Sequence, residues 1–353
     1  GAAGDAAAVR KLSPLRLAAS LRALLKMIGP KLPPDTDAII DRVLAGDLSH
    51  VVGGDTGWAS GNVPIWYERI SPQGLPKGCV LLLVGMGGDG LMWPPSFVRT
   101  FVEAGFQVIR YDHRGTGMSD WVENWSRRQP YTLADMAGDA LAVLDALHVP
   151  QAHLIGLSMG SMIAQEVAIQ APDRVATLTL IMTSGHIGDP DLPQTSSRYF
   201  LDNLIKGLPL LRYRLMGGER NLIKERIAKQ IMFIGYEGLD VKALAEVVAY
   251  SLRHRRGINL RAMRQHLTAI TLSGSRHERL RTVEAPTLVI HGTNDLLIPV
   301  EHAKKLVATM PNAEGLWLEE AGHVFPVPEM DKVTQRILRH LSVNSVQRPE
   351  GSK

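Results

Sequence analysis

The stretch Leu154-Ile155-Gly156-Leu157-Ser158-Met159-Gly160-Ser161-Met162 constrains this chain more than any other. Residues 152–155 form an apolar run that reads as a strand. Residues 159–170 read as an amphipathic helix, with Met162, Ile163, Val167 and Ala168 recurring on one side. The joint between them has the pattern G-x-S-x-G, a nucleophile elbow. Such a turn is tight enough to strain the serine backbone, and glycine is needed two residues away on each side because a Cβ there would collide with the neighbouring strand or helix. Ser158 Oγ is therefore expected to stand exposed at a strand's carboxyl end, beside the first amides of a helix.

Strand and helix patterns alternate around this joint. Strands are expected at 64–70, 79–84, 107–111, 177–182, 286–291 and 315–319, and helices at 96–104, 132–147, 300–309 and 330–341. This alternation predicts an α/β fold with a mostly parallel sheet, helices on both faces, and ligands at the carboxyl ends of the strands. Between residues 185 and 280 the strands vanish and only helical periodicity remains, at 198–205, 221–233, 241–252 and 260–271. An all-helical insertion between two strands of one sheet reads as a cap over the strand ends. The expected organisation is a helical N-terminal extension (1–60), a core in two parts (61–184 and 281–345), the cap (185–280) and a short polar tail (346–353).

In the extension, Leu15, Leu17, Leu21, Leu24, Leu25 and Ile28 alternate with Arg16, Arg22 and Lys26, and Gly29-Pro30 supplies a stop. Packing of this helix on its own protein or on a partner subunit is favoured over a membrane-surface anchor. A second short helix is expected at 37–44. The net charge of +4 is mild for 353 residues, and no zinc-finger spacing or aromatic RNA-binding motif accompanies it, which argues against nucleic acid as a partner. The single cysteine, Cys79, excludes an internal disulfide, and no apolar run is long enough to span a bilayer. The expected compartment is the cytoplasm, although a chain numbered from Gly1 leaves room for a removed signal segment. The oligomeric state is not readable.

A serine hydroxyl needs a base to take its proton, and the base needs an acid to fix its tautomer. Asp295 follows the strand at 286–291 through Gly292-Thr293-Asn294, and His323 follows the strand that ends near 319, so all three residues are expected on one sheet edge. The oxyanion of an acyl-transfer intermediate needs two amide donors. These are expected to be the N–H of Met159 and that of Met86 in the loop Val84-Gly85-Met86-Gly87-Gly88, with Gly87 as the alternative. That loop carries neither a Walker lysine nor a dinucleotide-binding register. No metal-ligand spacing appears and the chemistry requires no cofactor. Asp112 is expected to tie down its own loop by hydrogen bonds. Substrate-lining candidates are Met86, Trp93, Met159, His186, Met232, Phe233 and His266.

Taken together, Val84-Gly85-Met86-Gly87, Met92-Trp93-Pro94, the run from Val108 to Arg114, Gly156-Leu157-Ser158-Met159-Gly160, the run from Pro286 to Gly292 with Asp295, and Gly322-His323 resemble the α/β-hydrolase superfamily. Within it they resemble the capped bacterial esterases, the group that includes the aclacinomycin methylesterase. The resemblance covers residues 63–341. It departs at Val84-Gly85, where His-Gly is common, and at Gly115, where the subgroup carries aspartate. It implies hydrolysis of a small-molecule carboxylic ester through an acyl-enzyme. Lactone hydrolysis, carbon–carbon bond hydrolysis and cofactor-free perhydrolysis on the same three residues are the alternatives, and a non-catalytic ligand-binding protein is the alternative outside enzymes.

Overall fold

Strands β1 (Asp55–Ser60), β2 (Pro64–Ile70), β3 (Cys79–Leu83), β4 (Gln107–Tyr111), β5 (Ala152–Leu157), β6 (Val175–Ile181), β7 (Thr287–Gly292) and β8 (Ala313–Leu318) form one sheet in the order β1-β2-β4-β3-β5-β6-β7-β8. The computed structural model describes residues 29–235, 237–324 and 327–345. The leucine-rich helix expected before Gly29 and the tail beyond Ser345 lie outside the described residues. From β4 to β8 every pairing is parallel, whereas β1 and β2 are antiparallel to their neighbours. All the parallel strands thus end at one edge of the sheet.

Side chains alternate along the buried strands, and each face is closed by helices. Leu81, Leu83, Leu154, Leu178 and Val289 face a layer built from Leu133–Ala146, Met159–Gln170 and Val300–Thr309. Val80, Leu82, Ile155, Leu288 and Ile290 face Pro95–Glu103 and Val327–Ser345. A strand buried on both sides loses the polar alternation of an exposed one, which is why β3, β5 and β7 read as continuous apolar runs. Thr132 caps the helix Leu133–Ala146 through a reciprocal bond with Asp135.

One boundary shifts. The extension expected to be helical up to residue 60 contains the helix Thr36–Ala45 but ends in β1, which pairs with β2 from Asp55↔Arg69 to Ser60↔Pro64. Asp-Thr-Gly-Trp-Ala-Ser carries no apolar alternation because this edge strand buries only Ala59. It forms through its hairpin with β2.

Between β6 and β7 the described chain holds only helices, the longer ones being Ser197–Gly207, Gly218–Ile234, Val241–His254 and Ala262–Ser273. Arginines of this insertion fasten it to the body. Arg255 pairs with buried Asp112, Arg256 lies 3.4 Å from Glu123, and the Arg264 guanidinium stands 5.3 Å from the centre of the Trp125 ring. No helix among the described residues is long and apolar enough to cross a membrane.

Candidate active site

At the end of β5 the chain turns into the helix Met159–Gln170 through Ser158, whose φ of 54° and ψ of −117° are rare for a residue with a side chain. The flanking glycines are sterically required. A Cβ on Gly156 would stand 2.5 Å from Ser161 N, and one on Gly160 would fall inside the Leu83 carbonyl. The turn is held by Ser158 N–H donating to Ile181 O at 2.8 Å and by Thr183 Oγ1 donating to Ser158 O at 3.0 Å.

Loops after β7 and β8 bring Asp295 and His323 to the same place. His323 Nε2 lies 3.1 Å from Ser158 Oγ, and His323 Nδ1 lies 2.7 Å from Asp295 Oδ2. Asp295 Oδ1 accepts the N–H groups of Leu297 and Ile298, each at 2.9 Å, and His291 Nε2 is 3.3 Å from Oδ2. Burial alone would raise the Asp295 pKa, but hydrogen bonds from His291, His323 and Ile298 hold it well below the usual carboxylate range. Asp295 is therefore an anion that requires Nδ1 of His323 to carry a proton. Nε2 is left as the acceptor facing Ser158 Oγ.

The loop after β3 lies against the serine, since a methyl group on Gly85 would stand 3.6 Å from Ser158 Cβ. Gly88 N–H donates to Gly85 O at 3.1 Å, closing a turn in which Gly87 has φ 72°. The Gly87 N–H, the alternative oxyanion donor, is already given to His266 Nδ1 at 3.0 Å. Met86 therefore remains the candidate on this loop. Met159 opens its helix, so its N–H has no partner one turn back within that helix.

Several substrate-lining candidates have other duties. Trp93 is buried in the apolar layer behind the sheet and stacks on Phe97, with ring centres 5.2 Å apart. His266 is fully buried with both ring nitrogens engaged, so it offers none to a cleft. Met232 packs against Leu210, Tyr213 and Ala228, and Phe233 lies 5.3 Å from Lys206 Nζ, both inside the insertion. Periodicity could not separate these packing roles from a binding role, because apolar side chains recur at helical spacing for either purpose. Met86 and His186 are partly buried, while the Met159 side chain is fully buried.

Asp112 does tie down its loop. Its Oδ1 accepts Gly90 N–H at 2.8 Å, and its Oδ2 accepts Met118 N–H at 2.7 Å as well as Arg255. Sequence reasoning missed His291 beside Asp295 and His113, whose Nε2–H donates to Val84 O at 2.8 Å. His291 lies near the end of β7 and His113 just beyond β4, positions that mark the site edge without revealing a hydrogen-bond partner.

Burial lowers His113 to about 3 and His153 and His266 to about 4, which keeps these three neutral. In the unfolded chain a histidine titrates near 6.5, so between about pH 6.5 and 4 the unfolded state binds more protons. Stability is then fully present above that window and is lost as pH falls through it. Each such histidine contributes stability on the order of 3 kcal/mol across the window. The urea midpoint at pH 5 should therefore lie clearly below that at pH 8. An equal or higher midpoint at pH 5 would contradict the buried neutral state.

Residues 78–328 match the family model described as the alpha/beta hydrolase fold, and the chain belongs to that family. Among its relatives are rhodomycin D methylesterase DauP of Streptomyces sp. (strain C5), 31% identical, and rhodomycin D methylesterase DnrP of Streptomyces peucetius, 30% identical. Each alignment spans 80% of this chain and 97% of the relative. The solved esterase EaEST of Exiguobacterium antarcticum shares the fold at a TM-score of 0.60 with 18% identity, over 82% of this chain and all of the other. The two methylesterases are hydrolases and support hydrolase activity on this fold.

Proposed function

We propose that the protein is a serine esterase acting on small-to-medium carboxylic esters. The observation that carries this reading is the unbroken line from Asp295 through His323 to Ser158 Oγ at the elbow. His323 takes the serine proton as Ser158 attacks the ester carbonyl. Asp295 holds the tautomer and stabilises the imidazolium, and the amides of Met159 and Met86 receive the oxyanion. The proton passes to the leaving alcohol, and His323 then activates water to release the acid from the acyl-enzyme. The methylesterase relatives support a small alcohol portion as the first class to assay.

The inserted helices are proposed as a roof, supported by Arg255 on Asp112 and His266 on the loop after β3, both of which anchor them beside the strand ends. One observation favours a second reading, action at a lipid interface. Phe200, Leu201, Leu204 and Ile205 of the insertion are each more than half exposed. Acyl-chain profiling decides between the two. With an enclosed site, kcat/KM for p-nitrophenyl esters should peak between about two and eight acyl carbons, because each methylene adds at most ~0.8 kcal/mol until the space is filled. A preference for sixteen carbons or more, with a rate jump at the solubility limit, would replace the roof by a lipid-docking surface.

A further inference from the structure

His266 belongs to the inserted helix Ala262–Ser273, yet its ring is seated between two loops of the α/β body. Gly87 N–H can only donate, so the 3.0 Å contact makes His266 Nδ1 an acceptor and places the ring proton on Nε2, which donates to Arg114 O at 2.8 Å. A second buried ring, His113, stands edge-on 6.1 Å away and donates to Val84 O. Two histidines thus hold the loop after β3 at its entry and at its middle, one as donor and the other as acceptor. Both are kept neutral by burial, which suits those roles. The loop needs such anchors. Met86 is flanked by Gly85, Gly87 and Gly88, which place little steric restraint on the direction of a peptide plane.

We propose that His266 is a positioning residue for ester hydrolysis, occupying the Gly87 amide so that the turn is fixed with the Met86 amide set toward Ser158. The inference rests on the esterase reading and assigns the insertion a part in building the oxyanion site, beyond covering it. It separates two substitutions that a merely structural role would treat alike. In His266→Asn the side-chain oxygen stands where Nδ1 was and can still accept from Gly87. In His266→Gln the side-chain amide nitrogen stands where Nε2 was, keeping the bond to Arg114 but offering Gly87 nothing.

The test compares wild type, H266N and H266Q by kcat and KM on p-nitrophenyl butyrate, by melting temperature, and by hydrogen exchange of the Gly87 amide in glycine-labelled protein. Loss of an oxyanion donor costs roughly 100- to 1,000-fold in kcat, so a misdirected donor in H266Q should cost about 10- to 100-fold. KM should move little, and H266N should recover most of the loss. Exchange at Gly87 should accelerate about tenfold or more in H266Q and stay near wild type in H266N. Unchanged kcat and exchange in H266Q, or equal loss in both variants tracking an equal fall in melting temperature, would overturn the proposal. Absence of ester turnover in wild type would instead sink the esterase reading. Gly87 exchange would then still decide whether His266 anchors the turn.

Discussion

Replacing Ser158 by alanine should reduce ester turnover by roughly ten-thousand-fold or more while leaving the protein folded. The size of the loss follows from geometry. His323 Nε2 has one hydroxyl to activate, 3.1 Å away, and without it the base and the oxyanion amides retain only the background advantage of binding and polarising an ester. The fold should survive because Ser158 Oγ bonds, among the described residues, to His323 alone, and the turn is held by its backbone bonds to Ile181 and Thr183. Steady-state rates of the purified variant, with circular dichroism beside them, check both halves. A variant within tenfold of wild type would remove Ser158 from the chemistry.

Asp295→Asn should cost about a thousand- to ten-thousand-fold in kcat although it is nearly isosteric. The carboxylate accepts on both oxygens, from Leu297 and Ile298 on one and from His323 on the other. An asparagine must turn its NH2 either toward those backbone amides or toward His323 Nδ1. In the first orientation two buried amides lose their acceptor. In the second His323 adopts the other tautomer, with its proton on Nε2 facing Ser158, where it can no longer accept. Kinetics across pH 6 to 9 would check this, and a loss smaller than tenfold would mean that Asp295 does not set the tautomer.

The parts of this fold that are legible in the sequence share a physical cause. The start of the helix Met159–Gln170 is readable to the residue because the elbow fixes where it must begin. Ser158, Asp295 and His323 could be proposed together because each follows a strand that ends at the same sheet edge. β1 was not legible, since an edge strand with one buried residue carries no pattern of its own. His266 reads from the sequence as a substrate contact because one residue on a helix face does not disclose the loop it meets 179 positions away. Trp93 reads as a lining residue beside the Gly-rich loop, yet the chain turns there and carries its ring behind the sheet. Local geometry was written locally, whereas contacts between the insertion and the body depend on tertiary packing.

The central claim is that Ser158 is the nucleophile of an acyl-transfer enzyme, and covalent trapping tests it most directly. Intact-mass analysis after reaction with a fluorophosphonate should show one adduct per chain, and peptide mapping should place it on Ser158, with S158A unlabelled under the same conditions. A wild-type protein that stays unlabelled, or one modified equally in S158A, would contradict the account.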